Sequence, residues 1–115
     1  MSVTSDLLRG NTDTIILATL EEGDNYGYEI CKHITRLSRG ELVLKEATLY
    51  CAFKRLTEAR LIVSYWGGEG AGARRRYYKL TAEGAATLHR QRQEWLAASA
   101  VLNKLILGKE GSANE

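Results

Sequence analysis

The 115-residue sequence predicts a mainly α, α+β fold with room for a single core, and three observations carry that prediction. Apolar residues recur at helical spacing in three successive segments between residues 6 and 59. The period then changes to the β-branched and aromatic pattern of a hairpin. One long helical stretch follows, running to about Leu107.

The first predicted helix spans Asp6 to Glu22, with Leu7, Leu8, Ile15, Ile16, Leu17 and Leu20 as its apolar face, and Gly23-Asp24-Asn25 ends it. The second spans Tyr26 to Ser38, where Gly27, Ile30, Cys31, Ile34 and Leu37 follow the i, i+3, i+4, i+7 rule. Arg39-Gly40 stops it, with Gly40 suited to a left-handed C-terminal position. Glu41-Leu42-Val43-Leu44-Lys45 reads as a short extended link. The third helix, Glu46 to Ala59, buries Leu49, Ala52, Phe53 and Leu56 and presents Thr48, Cys51, Lys54, Arg55 and Glu58 on its other face. Leu61 to Trp66 and Arg75 to Leu80 read as two strands joined by a glycine-rich tip, Gly67 to Gly72. Thr81 caps the last helix, with the acid Glu83 one position short of a full capping box. That helix spans roughly 27 residues, about 40 Å at 1.5 Å per residue, and a polar tail over residues 108–115 is expected to be disordered.

Composition excludes several classes. At 44% hydrophobic and 26% charged, the chain is neither disordered nor fibrous by composition. Its longest uncharged apolar stretch, Thr14 to Leu20, is far shorter than a membrane span, and no leader-like segment opens the chain, so a cytoplasmic location without membrane contact is expected. Cys31 and Cys51 lack ligand or CxxC spacing and read as reduced thiols. His33 and His89 have no partner at metal spacing. No catalytic constellation or phosphate-binding loop is present, so neither an enzyme nor a cofactor or metal is expected. Charge is localised: residues 45–79 hold eight basic side chains against three acidic ones, a net +5, which leaves −3 on the remainder of a chain of net charge +2. A basic segment on an otherwise slightly acidic protein is the footprint of a polyanion partner.

Three helices, a short turn before the third, and a hairpin make the winged helix-turn-helix plan, here followed by a long helix. The plan suits double-stranded DNA, because the major groove admits one helix while the hairpin reaches neighbouring phosphates. The recognition helix opens at Lys45 with Thr48 and Tyr50 able to hydrogen-bond to phosphate or base, and Lys54 and Arg55 lie a turn further on. On the wing, strand alternation puts Arg74 and Arg76 on one face and Arg75 on the other. At least one of Tyr77 and Tyr78 belongs to the core. The alternative use of such a fold is a protein-interaction module with a solvated basic surface.

In the long helix, Leu88, Trp95, Ala98, Leu102 and Leu105 form one stripe spaced 7, 3, 4 and 3. A helix extending beyond its domain leaves that stripe uncovered, and a second copy of the chain covers it with two-fold symmetry. For Trp95 two roles stay open from the residues alone, dimer core or the wall of a ligand pocket.

Tyr26-Gly27-Tyr28-Glu29-Ile30, Glu46-Ala47-Thr48-Leu49-Tyr50, Arg55-Leu56, Leu61-Ile62 and Arg75-Arg76-Tyr77-Tyr78-Lys79-Leu80-Thr81 together resemble the PadR family of transcriptional regulators, over about residues 5 to 107. The single C-terminal helix resembles the compact subfamily. Gly23-Asp24-Asn25-Tyr26, Phe53-Lys54-Arg55-Leu56 and Ser64-Tyr65-Trp66-Gly67 resemble its multidrug-responsive LmrR-like branch. The resemblance implies a homodimeric repressor of an inverted-repeat operator, with residues 1–80 as the DNA-binding domain and 81–107 as the dimerisation helix. Tyr26, Lys45, Thr48, Tyr50, Lys54, Arg55, Arg74, Arg75 and Arg76 are then the DNA-facing set. Leu8, Leu88, Trp95, Leu102 and Leu105 are the dimer contacts. It further implies that planar aromatic compounds stack between the two copies of Trp95, with Leu7, Asp13, Thr14, Ala18 and Ala98 facing the same pore. A repressor with no small-molecule ligand is the other reading of the same resemblance. Two residues depart from the family pattern: Cys51 stands where many members have proline, and Arg60 stands where glycine normally ends the recognition helix. Arg60 must therefore adopt a left-handed conformation or the helix must end differently.

Overall fold

The computed structural model describes residues 4–68 and 74–108, so most of the expected glycine-rich tip and the tail beyond Gly108 lie outside the described residues. The chain begins with α1 (Thr4–Arg9) and α2 (Thr12–Glu21), where the sequence predicted one unbroken helix. Polar side chains make the break. Asn11 Nδ2 donates to the Leu7 carbonyl at 3.0 Å and Thr12 Oγ1 donates to the Arg9 carbonyl at 2.9 Å, satisfying the last carbonyls of α1 in place of the next turn's amides. Gly10 at the junction favours the interruption.

Asn25–Tyr26 form a short strand, β1, before α3 (Gly27–Leu37). Tyr26 was expected inside the helix; it is instead the extended N-cap residue (φ −119°, ψ 163°) and pairs with Tyr77. A two-residue strand leaves no period to detect. The left-handed turn after α3 begins one residue before Gly40. Arg39 (φ 53°) and Gly40 (φ 82°) are both left-handed, and their amides reach back to the Arg36 and Thr35 carbonyls at 3.1 and 2.8 Å. The extended link behaves as strand alternation requires, with Leu42 and Leu44 buried and Val43 exposed.

In α4 (Glu46–Glu58) the four predicted residues, Leu49, Ala52, Phe53 and Leu56, are the buried ones. The helix ends on Arg60 at φ 65°, with the Leu61 amide bonded to the Leu56 carbonyl and the Arg60 amide to the Thr57 carbonyl, both at 2.9 Å. This is a Schellman closure built on arginine rather than glycine. A left-handed non-glycine residue costs about 1–2 kcal/mol, and glycine returns roughly half of that as extra unfolded-state entropy. Arg60→Gly is therefore expected to stabilise the fold by about 0.5–1 kcal/mol, raising Tm by a few degrees in a thermal melt.

Strands β2 (Ile62–Gly67) and β3 (Arg75–Leu80) complete an antiparallel sheet in the order β1-β3-β2. Its inner face meets α4 where the rings of Phe53 and Tyr78 stack at 3.8 Å, so Tyr78 is the core member of the tyrosine pair. Ile16, Leu17, Leu20, Ile30, Ile34, Ile62 and Leu88 fill the rest of the core. Leu37, expected on the core face of α3, is exposed at the helix end.

Helix α5 (Ala82–Leu107) starts on Thr81, whose Oγ1 accepts from the Gly84 amide at 2.9 Å and donates towards the Arg60 and Leu61 carbonyls at 2.8 and 3.1 Å. One hydroxyl thus joins the end of α4, the start of β2 and the start of α5. Beyond Arg92, α5 leaves the body of the protein, and its side chains are exposed except at Ser99. The Cα radius of gyration of 16.6 Å exceeds the roughly 13 Å of a compact chain of this length for that reason. Leu88, assigned by spacing to the dimer stripe, is a correction: at 1% exposure it lies in the chain's own core, so the stripe open to another molecule begins at Trp95. Among the described residues no helix is long and apolar enough to cross a membrane.

Candidate nucleic-acid interface

The buried face of α4 determines what the helix offers outward. With about 100° between successive residues, burial of Leu49, Ala52, Phe53 and Leu56 turns Ala47, Cys51, Lys54 and Glu58 away from the core. Thr48 and Arg55 fall on one flank, and Tyr50 and Thr57 on the flank towards the wing. Lys45 is the exposed, extended residue before the helix. Cys51 is exposed, whereas half-buried Cys31 holds its proton more tightly than an ordinary thiol, chiefly because burial disfavours the thiolate.

The wing displays its arginines on both faces, as alternation requires. Arg76 pairs with Trp66 across the strands, and Arg74 and Arg76 lie 5.3 and 5.6 Å from the Trp66 ring centre. Arg75 lies 4.8 Å from the ring centre of Tyr26 on the other side. Each guanidinium is thus braced by an aromatic face while its terminal Nη groups remain available to an acceptor. Arg76 Nε also donates to Ser64 Oγ at 3.1 Å.

An aromatic row crosses the outer sheet face that holds Arg75. Tyr77 stacks on Tyr65 with centroids 5.6 Å apart and meets Tyr26 edge-on at 5.4 Å. Tyr65 Oη donates to Asp24 Oδ2 at 2.6 Å, and that hydrogen bond pushes the Tyr65 pKa up. This support behind the wing was missed from the sequence, because it depends on β1 pairing with β3. Two grooves run between α4 and the wing, of about 340 and 410 Å³, and both are lined by Tyr50 and Arg76. Tyr50 comes close because residue 27 is glycine: a Cβ there would sit 2.9 Å from Tyr50 Oη. Tyr26, Tyr50, Arg75 and Arg76 are therefore gathered in one place, with Lys54 on the adjoining groove.

Arg55 is placed differently. Its Nη2 and Nε donate to the two carboxylate oxygens of Asp13 at 2.7 and 3.3 Å, which raises the Arg55 pKa further. Of the residues that the resemblance assigned to a ligand, Asp13 thus points at α4. Thr14 donates to Gln91 Oε1 at 2.7 Å, one helical turn before the exposed Trp95. Ala98 is exposed on the next turn, Leu7 is exposed on α1, and Ala18 lines an apolar groove with Leu8 and Ile15. Glu21 and Arg92 form a second α2–α5 tie at 3.0 Å. No group of three or more His, Cys, Asp or Glu side chains among the described residues could hold a metal ion.

The profile of the transcriptional regulator PadR-like family matches residues 16–90. A transcriptional regulator from Clostridium thermocellum is 46% identical, with a TM-score of 0.81 over 90% of this chain and 97% of that one. A PadR family transcription regulator from Clostridium difficile is 41% identical, with a TM-score of 0.74 over 84% of this chain and 98% of that one. An uncharacterised protein of Lysinibacillus sphaericus is 38% identical over 94% of this chain and 99% of its own length.

Proposed function

The chain belongs to the PadR-like family of transcriptional regulators, and from that premise we propose that it is a homodimeric repressor that binds an inverted-repeat operator through α4 and the wing and releases it when a planar aromatic molecule stacks between two copies of Trp95. Members of the family are DNA-binding regulators, not enzymes. The observation that carries the operator reading is the gathering of Tyr26, Tyr50, Lys54, Arg75 and Arg76 along two adjoining grooves beside the exposed face of a helix of major-groove dimensions. Residues 1–80 form the DNA-binding unit in this reading, residues 81–107 the dimerisation helix, and the site of action is the cytoplasm.

Dimerisation through α5 is supported by its uncovered apolar side chains. Trp95, Leu102, Leu105 and Ile106 are 55%, 46%, 74% and 73% exposed in the C-terminal half of α5, which none of the other described residues buries. A two-fold dimer that reads successive major grooves must hold its two recognition helices about 34 Å apart, one turn of duplex. Leu105→Asp is expected to convert the dimer to a monomer by sedimentation equilibrium and to lower operator affinity at least tenfold, since a charge placed in an apolar seam is uncompensated. A dimer of unchanged stability would move the interface elsewhere.

The LmrR-like ligand reading is supported by Trp95 itself, an exposed indole beside Ala98 and Leu102 with the Thr14–Gln91 hydrogen bond one turn away. A repressor without a small-molecule ligand is the second reading, favoured by Asp13 being turned to Arg55 rather than towards Trp95. Titration with planar aromatic cations, followed by tryptophan fluorescence, separates the two. Quenching that disappears in Trp95→Ala supports stacking, and quenching left intact in that variant, where only Trp66 remains, ends it.

A further inference from the structure

We infer that Asp13 is an internal competitor of DNA phosphate for Arg55, so that one cation of each recognition helix is held in reserve by the protein's own α2. The inference rests on the operator-binding reading and adds to it a residue that restrains binding. A guanidinium engaged on both its Nε and Nη2 by one carboxylate presents the fork geometry with which arginine grips a phosphate, and Asp13 already occupies that fork.

Three features make the contact exchangeable rather than structural. The pair lies at the surface, with the Arg55 and Asp13 side chains 58% and 38% exposed. Solvent reaches both groups, so a phosphate that offers the same two acceptor oxygens can replace the carboxylate without burying a charge. Arg55 also shares a flank of α4 with Thr48, beside the outward-facing Lys54, within the basic stretch of the chain. Finally, the carboxylate is carried by α2, which is also tied to α5 through Thr14–Gln91 and Glu21–Arg92, so Asp13 and the dimerisation helix share one supporting element. A helix that hands Arg55 to a phosphate in one arrangement and to Asp13 in another gives the long helix a local means of changing the charge the duplex meets.

The test is a salt titration of duplex binding for the full chain and for Asp13→Asn and Asp13→Ala. Each phosphate neutralised adds about −0.9 to the slope of log K against log salt. Both variants are expected to bind roughly tenfold more tightly at 0.15 M salt, with a slope steeper by about 0.9 per subunit. The steepening is expected to vanish when either substitution is combined with Arg55→Gln. An unchanged slope, a weaker affinity in both folded variants, or the same steepening in the Arg55→Gln background would overturn the inference. Failure of the wild-type chain to bind duplex at all is a separate result, seen without any variant, and removes the operator reading beneath it.

Discussion

Gly84→Ala is expected to destabilise the protein by about 2 kcal/mol or more, even though alanine is the better helix former. Gly84 lies in the first turn of α5, where the gain from a methyl group in an open helix would be about 1 kcal/mol. There is no open space for it. A Cβ at this position would collide with the Leu61 carbonyl oxygen and lie 2.7 Å from Leu80 Cδ1. The first obstacle is backbone, belonging to the left-handed exit from α4 that Thr81 also grips, so it cannot move without disturbing three elements together. Overpacking costs of about 1–3 kcal/mol are typical where side chains alone must yield, and a backbone collision belongs at or above that range. The collision outweighs helix propensity, and Tm is expected to fall by roughly 10 °C. A variant as stable as the parent would mean that α5 meets the sheet at a different angle from the one described.

The second large effect concerns binding. Replacing Arg74, Arg75 and Arg76 together by alanine is expected to weaken duplex binding by the dimer roughly a thousandfold at 0.15 M salt, because up to six phosphate contacts are lost, each worth about 0.9 in the salt slope. Stability should fall by about 1.5–3 kcal/mol and leave the variant folded. All three side chains are exposed and brace against Trp66 and Tyr26 from outside the core, and each of the three exposed cation–π contacts is worth about 0.5–1 kcal/mol. Parallel melts and binding curves therefore separate a wing that touches DNA from one that only supports the sheet. A triple variant that binds as tightly as the parent would transfer the polyanion footprint to α4 alone.

Much of this was legible in the sequence because the relevant signals are periodic. Leu49, Ala52, Phe53 and Leu56 repeat at helical spacing, and the helix buries those residues. Arg74 and Arg76 differ from Arg75 by strand alternation alone, and the structure sorts them to Trp66 and Tyr26 accordingly. Arg60 stands where a glycine is expected, and the left-handed turn forms there regardless, because the bonds to Leu56 and Thr57 and the hydroxyl of Thr81 hold it.

What stayed hidden depends on partners distant in the chain or on very short segments. The α1–α2 break comes from two local side-chain bonds inside a run whose apolar spacing suits a single helix. Strand β1 exists only because Tyr77 and Tyr78 return beside it some fifty residues later. Leu88 and Trp95 lie seven residues apart on one stripe, yet the body of the protein covers the first and stops short of the second. The Asp13–Arg55 pair joins residues 42 positions apart, and no spacing rule connects them.

A single surface for duplex DNA formed by α4 and the wing has a direct consequence in solution. The most direct test is the affinity of the wild-type chain for duplex from the promoter of its own gene, measured across a range of salt concentrations. Binding that weakens with a log–log slope of about −5 or steeper, as the six wing arginines of a dimer alone would produce, is the predicted result. No binding at low salt, or binding indifferent to salt, would contradict it.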